Sequence, residues 1–286
     1  MANNILSAIN NIISFENYDL SGYALTYLIR INAVGEQLEF YIKDAIANSL
    51  KLPQDEKETV YAKVFSYLGN QNNPPDMIIK NSDAFEVKKI ESQRSSLALN
   101  SSPPKDKLLS SDIRITNTCR ICEANIWAEK DLFYVIGQAT REKIKYLFFI
   151  HGKCYAADHI VYDKVHIPIK KEVDSVIDSL GLEKGGTVEI GKVKRVDPLG
   201  ITELRIRGMW QIQNPLRVYE NFCKIEDNDK FHLFALMRKD KYDTFPKDDS
   251  KNLEVNKDIS VKDIKIKDPN NPAKIIEAKL ISFKER

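Results

Sequence analysis

The sequence has few cysteines, few glycines and prolines and no long apolar run, and each shortage excludes a class of protein. Four cysteines in 286 residues are too few for a disulfide-rich secreted scaffold. Eleven glycines and eleven prolines exclude a collagen-like or low-complexity chain. The longest apolar stretches, such as residues 147–150, fall far short of the roughly 18 residues that a membrane span needs. Hydrophobic residues at 43% and charged residues at 29% are typical of a globular protein.

Neither sign of charge dominates, since 43 basic and 41 acidic residues leave a net charge of +2. This balance alone does not indicate a polyanionic partner. The distribution is uneven, because residues 192–217 contain six basic side chains, namely Lys192, Lys194, Arg195, Arg205, Arg207 and Arg217. We therefore expect any contact with a polyanion in the second half of the chain. Residues 1–4 lack the basic start of a secretory signal, so we expect a cytoplasmic protein.

Apolar periodicity predicts helices at the start of the chain. Three- and four-residue spacings predict helix over residues 20–50, with a break at Gly35, and another helix over 55–67. The turn-forming residues 69–75 then lead into extended chain. Short strands over 77–80 and 84–90 around a polar turn predict a hairpin, and residues 95–107 a long loop.

The rest of the chain predicts a mixed sheet with a β-rich second half. Further predicted elements are strands 130–137 and 143–151, a helix over 156–180, strands 187–196, 202–209 and 231–238, and extended chain over 259–283. Strands of mixed order with flanking helices predict an α/β (α+β) sandwich. We expect one domain over residues 1–286, with a helical part (1–70), a central part (71–180) and a β-rich part (181–286).

One short pattern carries the candidate chemistry. Glu86 and Lys88 project from the same face of a predicted strand, whereas Val87 points to the other. If Asp76 starts the preceding antiparallel strand, two carboxylates converge as oxygen ligands for Mg²⁺, with Lys88 beside them. The alternative is a solvated strand edge, because so short a pattern arises by chance in a lysine-rich chain. Glu39, on a predicted helix, is either a further acid of the site or a surface residue.

Longer strings place this pattern in a family context. They are AKVFSYLGN (62–70), NPPD (73–76), DAFEVKKIES (83–92), LALNSS (97–102), CRICE (119–123), VDPLGIT (196–202), LRIRGMW (204–210) and PNNPAK (269–274). Together they resemble the NgoPII family of type II restriction endonucleases, and the match covers most of the chain after about residue 30. The resemblance implies a PD-(D/E)xK nuclease fold, Mg²⁺-dependent cleavage of both DNA strands and recognition of the palindrome GGCC.

Asp76, Glu86 and Lys88 fall on the catalytic motif of that family. We expect Asp76 and Glu86 to hold the metal with the Val87 carbonyl, and Lys88 to position or deprotonate the attacking water. Such hydrolysis leaves 5′-phosphate and 3′-hydroxyl ends. Because a palindrome has two-fold symmetry, we expect a homodimer, paired in its host with a methyltransferase for the same site.

The resemblance makes residues 71–180 the catalytic core and gives the β-rich part (181–286) a role in DNA recognition. Candidate DNA contacts follow from residue type. Arg205 and Arg207 lie two residues apart, so both can read guanines from one strand face, or instead pair with phosphates or carboxylates such as Glu203. Candidate phosphate contacts are Lys89, Arg94, Asn100, Ser101, Ser102 and Lys105. A solvated loop is their alternative. Trp210, which ends an apolar strand, is predicted to be a core residue rather than a base-stacking one.

Cys119, Cys122, His151 and Cys154 are side chains of the kind that tetrahedral zinc accepts. The second pair follows a predicted strand rather than a knuckle-like turn, so we favour buried side chains over a zinc site.

Two other functions remain open at this level. A structure-selective repair or junction nuclease shares the catalytic pattern, and a non-cleaving DNA-binding module would use its carboxylates structurally. The length of the chain disfavours a small junction resolvase, and the intact acidic and lysine residues disfavour the non-cleaving module.

Overall fold

A mixed sheet forms the centre of the computed structural model, which describes residues 3–21, 34–70, 73–93, 95–139, 143–226 and 228–285. The strands are β1 (Phe65–Asn70), β2 (Asn73–Ile79), β3 (Ala84–Ile90), β4 (Leu97–Asn100), β5 (Lys107–Leu109), β6 (Glu129–Ala139), β7 (Ile144–His151), β8 (Glu183–Lys184), β9 (Gly191–Lys194), β10 (Leu204–Ile206), β11 (Trp210–Ile212), β12 (Phe231–Arg238), β13 (Ile259–Asp268) and β14 (Asn271–Glu285). The main sheet has the order β1-β2-β3-β6-β7-β12-β14-β13, with β5 paired to β6. Its β3–β6 and β7–β12 pairs are parallel.

Helices flank this sheet. They are α1 (Ile5–Phe15), α2 (Val34–Ala47), α3 (Gln54–Val64), α4 (Asn117–Arg120), α5 (His159–Ser179), α6 (Pro215–Val218), α7 (Lys239–Tyr242) and α8 (Lys247–Val255), with a 3-10 turn at Gly152–Cys154. Asn4 caps α1 by accepting the backbone N–H groups of Leu6 and Ser7, and its amide donates to Asp249 on α8. Within the described ranges, no helix combines the length and apolar character needed to cross a membrane.

Strict alternation of side chains divides the core into two layers. On β6, Phe133 and Val135 pack in the layer that contains α1, α2 and α3, whereas Tyr134 and Ile136 face the opposite layer. The same alternation runs through β7 and β12, which are buried on both faces. Both faces of the central strands therefore need cover, and this explains their long apolar runs.

The predicted hairpin over 77–90 is confirmed as β2 and β3. The predicted helix over 55–67 ends earlier than expected, because residues 65–67 begin β1 and pair with β2. In the predicted helix over 20–50, Gly35 lies inside α2 rather than at a break, and residues 22–33 lie outside the described ranges.

Three other predicted segments need correction. The predicted loop over 95–107 contains β4, which pairs with β11. The predicted strands 187–196 and 202–209 shorten to β9 and β10, because the chain between them forms a tight turn. Residues 231–238 and the extended chain over 259–283 are confirmed as β12 and the β13–β14 hairpin.

A buried charge network joins α7 to the sheet. Lys241 donates to Asp83 at 2.6 Å and lies 3.1 Å from Asp131, which also pairs with His151 and Lys153. Burial alone would raise the pKa of Asp131, but His151 and the two lysines hold it well below its usual range. Asp83 is almost completely buried, so its charge depends on Lys241.

We expect Lys241→Met to lower the free energy of unfolding by about 3 kcal/mol, because it leaves the buried Asp83 without its ammonium partner and removes one of the two lysines at Asp131. Urea denaturation measures the effect. Lys239→Met is the matched control, since Lys239 is half-exposed and makes only 3.8 Å pairs with Asp263 and Glu277. Equal stability of the two variants would show that the network contributes nothing.

Candidate active site

The β2–β3 hairpin brings Asp76 and Glu86 opposite one another. Met77 pairs with Phe85 and Ile78 with Ala84, so Asp76 and Glu86 occupy the next position along the ladder. Glu86 lies opposite Tyr134 in the parallel β3–β6 pair, and Tyr134 belongs to the layer away from α1 and α2. Both acids therefore point to this face of the sheet, as does Lys88, two residues beyond Glu86.

Pro75 interrupts the hydrogen-bond ladder between β2 and β3, so Val87 is not paired with a residue of β2 in the register of these two strands. The Val87 N–H donates to Asp76 Oδ2 at 2.6 Å, so the carboxylate takes the place of a backbone acceptor. In an antiparallel pair, a residue directs its N–H and C=O to the same neighbour. From this rule we expect the Val87 carbonyl to face β2 as well, where Pro75 has no N–H to donate to it.

The charged side chains of the site lie close together, so each affects the pKa of its neighbours. Lys88 Nζ lies 2.6 Å from Glu86 Oε1, whereas Glu86 Oε2 is buried and has no hydrogen-bond partner among the described residues. Burial and the neighbouring charge of Glu86 raise the pKa of Asp76 to about 8, with Glu39 adding to the effect. Burial alone would lower the pKa of Lys88, but Glu86 and Asp76 outweigh it and hold this pKa above its usual range. Lys88 is therefore protonated, and its ammonium group acts as a hydrogen-bond donor.

A divalent cation fits this donor set. Two partly buried carboxylates that repel each other, one with an oxygen unpartnered among the described residues, and a main-chain carbonyl are hard oxygen ligands of the kind Mg²⁺ prefers. Across the described ranges, no three His, Cys, Asp or Glu side chains form a group placed to hold a metal. The site thus offers two acids and a carbonyl rather than a cage of side chains, and Mg²⁺ commonly keeps several waters in such sites.

Glu39 lies near this site on α2. Its carboxylate pairs with the buried Lys43 at 2.7 Å, and its charge acts on both Asp76 and Lys88. Asp44, further along α2, accepts Lys57 and Tyr61 of α3, which fixes the helix against its neighbour. Glu39 therefore contributes negative charge to the site, while its own carboxylate is held by Lys43.

Gly69 on β1 allows the close approach of the strand that carries Asp76. A Cβ at this position would lie 2.3 Å from the Pro75 carbonyl oxygen and 3.1 Å from Asp76 Cα. We expect Gly69→Ala to lower the cleavage rate by about 10²-fold, because displacing a reacting group by about 1 Å has effects of this size.

Gly186→Ala is the matched control for Gly69→Ala, since nothing lies within 4 Å of the added Cβ at Gly186. Melting temperatures of both variants separate lost positioning from unfolding. A Gly69→Ala protein that cleaves at the wild-type rate would contradict this role.

The raised pKa of Asp76 also predicts a pH-dependent stability of the metal-free protein. Since its folded-state pKa of about 8 exceeds the usual value of 3.8, the unfolded chain loses this proton first. The free energy of unfolding should therefore fall as the pH rises from about 4 to about 8. Urea denaturation in EDTA measures the slope, which Asp76→Asn should reduce and the exposed control Asp248→Asn should leave unchanged.

The chain after β4 folds back onto the active site. Glu86, Ser102, Lys105 and Tyr134 line one cavity of about 20 Å³, and Ser102 Oγ is buried without a hydrogen-bond partner. Lys105 is not part of a solvated loop, because its ammonium pairs with Asp112 at 2.6 Å and its N–H donates to Tyr134.

The other predicted phosphate contacts are placed less closely to the acids. Lys89 lies on β3 beside Glu91 at 3.6 Å, and Asn100 is exposed at the end of β4 with a φ of 52°. Ser101 is half-buried in the turn that follows, and Arg94 lies outside the described residues. The structure therefore brings Ser102 and Lys105, but not Lys89, to the cavity of Glu86.

Arg205 and Arg207 share one carboxylate, and it is not that of Glu203. Arg205 makes a bidentate pair with Glu189 at 3.1 and 2.9 Å, and Arg207 Nε lies 2.7 Å from the same group. Glu203 instead pairs with Lys192 at 2.7 Å. Glu189 is nearly buried, whereas about half of each arginine side chain is exposed. The carboxylate holds two guanidinium groups side by side at the surface.

Glu189 is the residue that sequence patterns missed. It lies 16 residues before Arg205, and its backbone is fixed by Lys170 of α5, which donates to the carbonyls of Thr187 and Glu189. An acid just before a short strand gives no local signal of such a role. The spacing between the two arginines identified the pair but not its partner.

Trp210 is partly buried against the core and meets Tyr162 edge to face at 5.6 Å, as predicted for a core residue. The four candidate zinc ligands are not assembled into one group within the described part of the chain. Cys119 and Cys154 are buried, Cys122 is half-buried, and all have free thiols. His151 pairs with Asp131 at 3.1 Å.

Comparison with known proteins gives a consistent result. The family model described as NgoPII restriction endonuclease matches residues 3–267. The type II restriction enzyme NgoPII of Neisseria gonorrhoeae is 42% identical over 255 residues, which cover 89% of this chain and 90% of that protein. No solved structure matches the chain.

Proposed function

This chain belongs to the NgoPII family of restriction endonucleases, and from that membership we propose that it cleaves double-stranded DNA at GGCC by Mg²⁺-dependent hydrolysis. The observation that carries the proposal is the convergence of Asp76, Glu86 and Lys88 on one face of the β2–β3 hairpin. The products have 5′-phosphate and 3′-hydroxyl ends. Because its substrate is DNA, we place the enzyme in the cytoplasm.

Asp76, Glu86 and the Val87 carbonyl would hold the Mg²⁺. When bound, Mg²⁺ stabilises charge on the phosphate and lowers the pKa of a bound water. Lys88 is a cation in the free protein, so we assign it the positioning of the attacking water and the phosphate rather than proton removal. Glu86 orients Lys88 through the 2.6 Å pair.

We assign the DNA contacts to two regions, namely the residues after β4 and the arginines before β11. The pairing of β4 with β11 joins these two regions. Ser102 and Lys105 line the cavity of Glu86, so they can hold the phosphate that is cleaved or its neighbour. We assign the reading of guanines to Arg205 and Arg207, which Glu189 holds side by side. Asn100 at the end of β4 pairs with Trp210 of β11, which follows the arginines. Lys89, Arg94, Asn100 and Ser101 remain candidates for flanking phosphates.

A homodimer and a companion methyltransferase complete the proposal. Each chain supplies one set of Asp76, Glu86 and Lys88, whereas a palindrome has two equivalent strands to cut. Two copies related by two-fold symmetry meet this requirement. The host needs a methyltransferase of the same specificity, because an unmodified genome carries many four-base sites.

The test is to incubate the purified protein with a sequenced plasmid in Mg²⁺ and to sequence the ends of the fragments. EDTA and the Lys88→Ala variant are the controls. Discrete ends at GGCC that are absent in both controls support the proposal. Discrete ends at another sequence would refute the target but keep the activity, and the absence of cleavage would refute the activity itself.

A further inference from the structure

The turn between β9 and β10 exposes two aliphatic side chains. Leu199 is 80% exposed and Ile201 is 79% exposed, although apolar side chains of this size are usually buried. Gly200 separates them with a φ of 70°, a left-handed conformation that favours glycine. Neither side chain has cover within the described chain. The apolar tip is therefore available to another molecule.

This tip is held rigidly. The carboxylate of Asp197 accepts the N–H groups of Leu199, Ile201 and Thr202 at 3.2, 3.1 and 2.6 Å. The Val196 N–H donates to the Thr202 carbonyl at 3.0 Å, which closes the turn across its base. Four hydrogen bonds within one short turn fix its backbone, so the aliphatic side chains are presented outward at little entropic cost on binding.

Basic side chains precede and follow the tip along the chain, and Glu183 and Glu189 pair with three of them. The basic side chains on the two strands and at their junction are Lys192, Lys194, Arg195, Arg205 and Arg207. Arg195, at the start of the turn, is 73% exposed. The two acids of the turn are engaged, Asp197 with backbone N–H groups and Glu203 with Lys192. An apolar tip beside basic side chains is complementary to duplex DNA. The phosphates on the outside of the duplex attract the basic side chains, and apolar side chains can insert between its stacked bases.

We propose that residues 195–203 form a DNA wedge in which Leu199 and Ile201 insert at a base step of the bound duplex. The proposal rests on the proposed function, because it takes DNA as the ligand of this hairpin. Apolar side chains that enter a base step unstack it and kink the duplex by roughly 20–90°. The wedge therefore favours sequences whose step is easily deformed, and so adds selectivity beyond the contacts of Arg205 and Arg207.

The test uses full-length protein on a Glu86→Gln background, so that bound DNA stays intact. Duplexes carry the cleavage site with one fluorescent base at a time, either 2-aminopurine for an adenine beside the site or pyrrolocytosine for a cytosine within it, so that every guanine keeps its O6 acceptor. Fluorescence of this base rises when it unstacks, and anisotropy of a terminal dye measures binding in the same samples. We expect a rise at one step, its loss in the Leu199→Ser/Ile201→Ser variant, and its retention in Leu199→Phe, which keeps an apolar tip.

Val255→Ser is the matched control, since Val255 is 80% exposed at the end of α8 and belongs to no basic surface named here. It should retain the fluorescence rise. Binding without any rise in the wild-type sequence, or a rise that persists in the double serine variant, would overturn the wedge and leave the nuclease intact. Failure of the parent protein to bind the duplex would overturn the wedge and the DNA-binding role together. A change of oligomeric state in the serine variant, with the fluorescence rise unaltered, would assign the tip to a protein partner and overturn the wedge.

Discussion

Asp76→Asn is expected to lower the cleavage rate by at least about 10³-fold, because it replaces a carboxylate by a neutral amide at the position that we propose as a metal ligand. The amide oxygen can still accept the Val87 N–H, so the hairpin should keep its geometry. The measurement is single-turnover cleavage of a duplex at saturating protein and several Mg²⁺ concentrations. Saturating protein removes any contribution from weakened DNA binding.

Asp248→Asn is the matched control, since Asp248 is exposed in the first turn of α8. It should cleave at the wild-type rate. The loss in Asp76→Asn should also persist at high Mg²⁺, because neutralising the ligand removes charge stabilisation as well as affinity. Recovery of full activity at high Mg²⁺ would limit Asp76 to metal affinity and contradict the expected loss in rate.

Exchanging both Arg205 and Arg207 for lysine is expected to weaken binding to the cleavage site by about 10³-fold, since each bidentate guanine contact contributes roughly 1–3 kcal/mol. Lysine keeps the positive charge but lacks the planar fork that Glu189 holds and that guanine requires. Binding to unrelated duplexes should change little. Fluorescence anisotropy at a fixed salt concentration gives the ratio of the affinity for the cleavage site to the affinity for unrelated duplexes.

Arg195→Lys is the control for this pair, because Arg195 lies on the same basic surface and is not held by Glu189. Its effect should be small and similar on both DNAs. An equal loss on site and unrelated duplexes in the Arg205/Arg207 variant would assign these residues to phosphates. No loss on either DNA would remove them from the interface.

The period-two pattern of Glu86 and Lys88 was sufficient to predict the β3 face on which they lie, and the polar turn before it predicted the hairpin. Local patterns succeeded here because the whole arrangement lies within about fifteen residues. Strand β1 was missed because its aromatic residues continue directly from α3 without a turn signal. Its place in the sheet is decided by pairing with β2, which outweighs local propensity.

Contacts between distant parts of the chain were beyond local patterns. Ser102 reaches the cavity of Glu86 only because β4 leaves the main sheet to pair with β11. Glu189 becomes the partner of two arginines because β9 and β10 bring them back to it. Glu203 was the obvious local partner of Arg205, but its carboxylate pairs with Lys192 of the neighbouring strand β9 at 2.7 Å.

The sheet formed by β8, β9 and β10 pairs with no strand of the main sheet within the described ranges. The hairpin that carries the arginines can therefore accept substitutions that leave the register of β2 and β3 unchanged. Under the proposed roles of these residues, target choice and bond cleavage would be separate traits of one chain. We then expect random libraries confined to positions 205 and 207 to change the target while each member keeps the proposed catalytic residues.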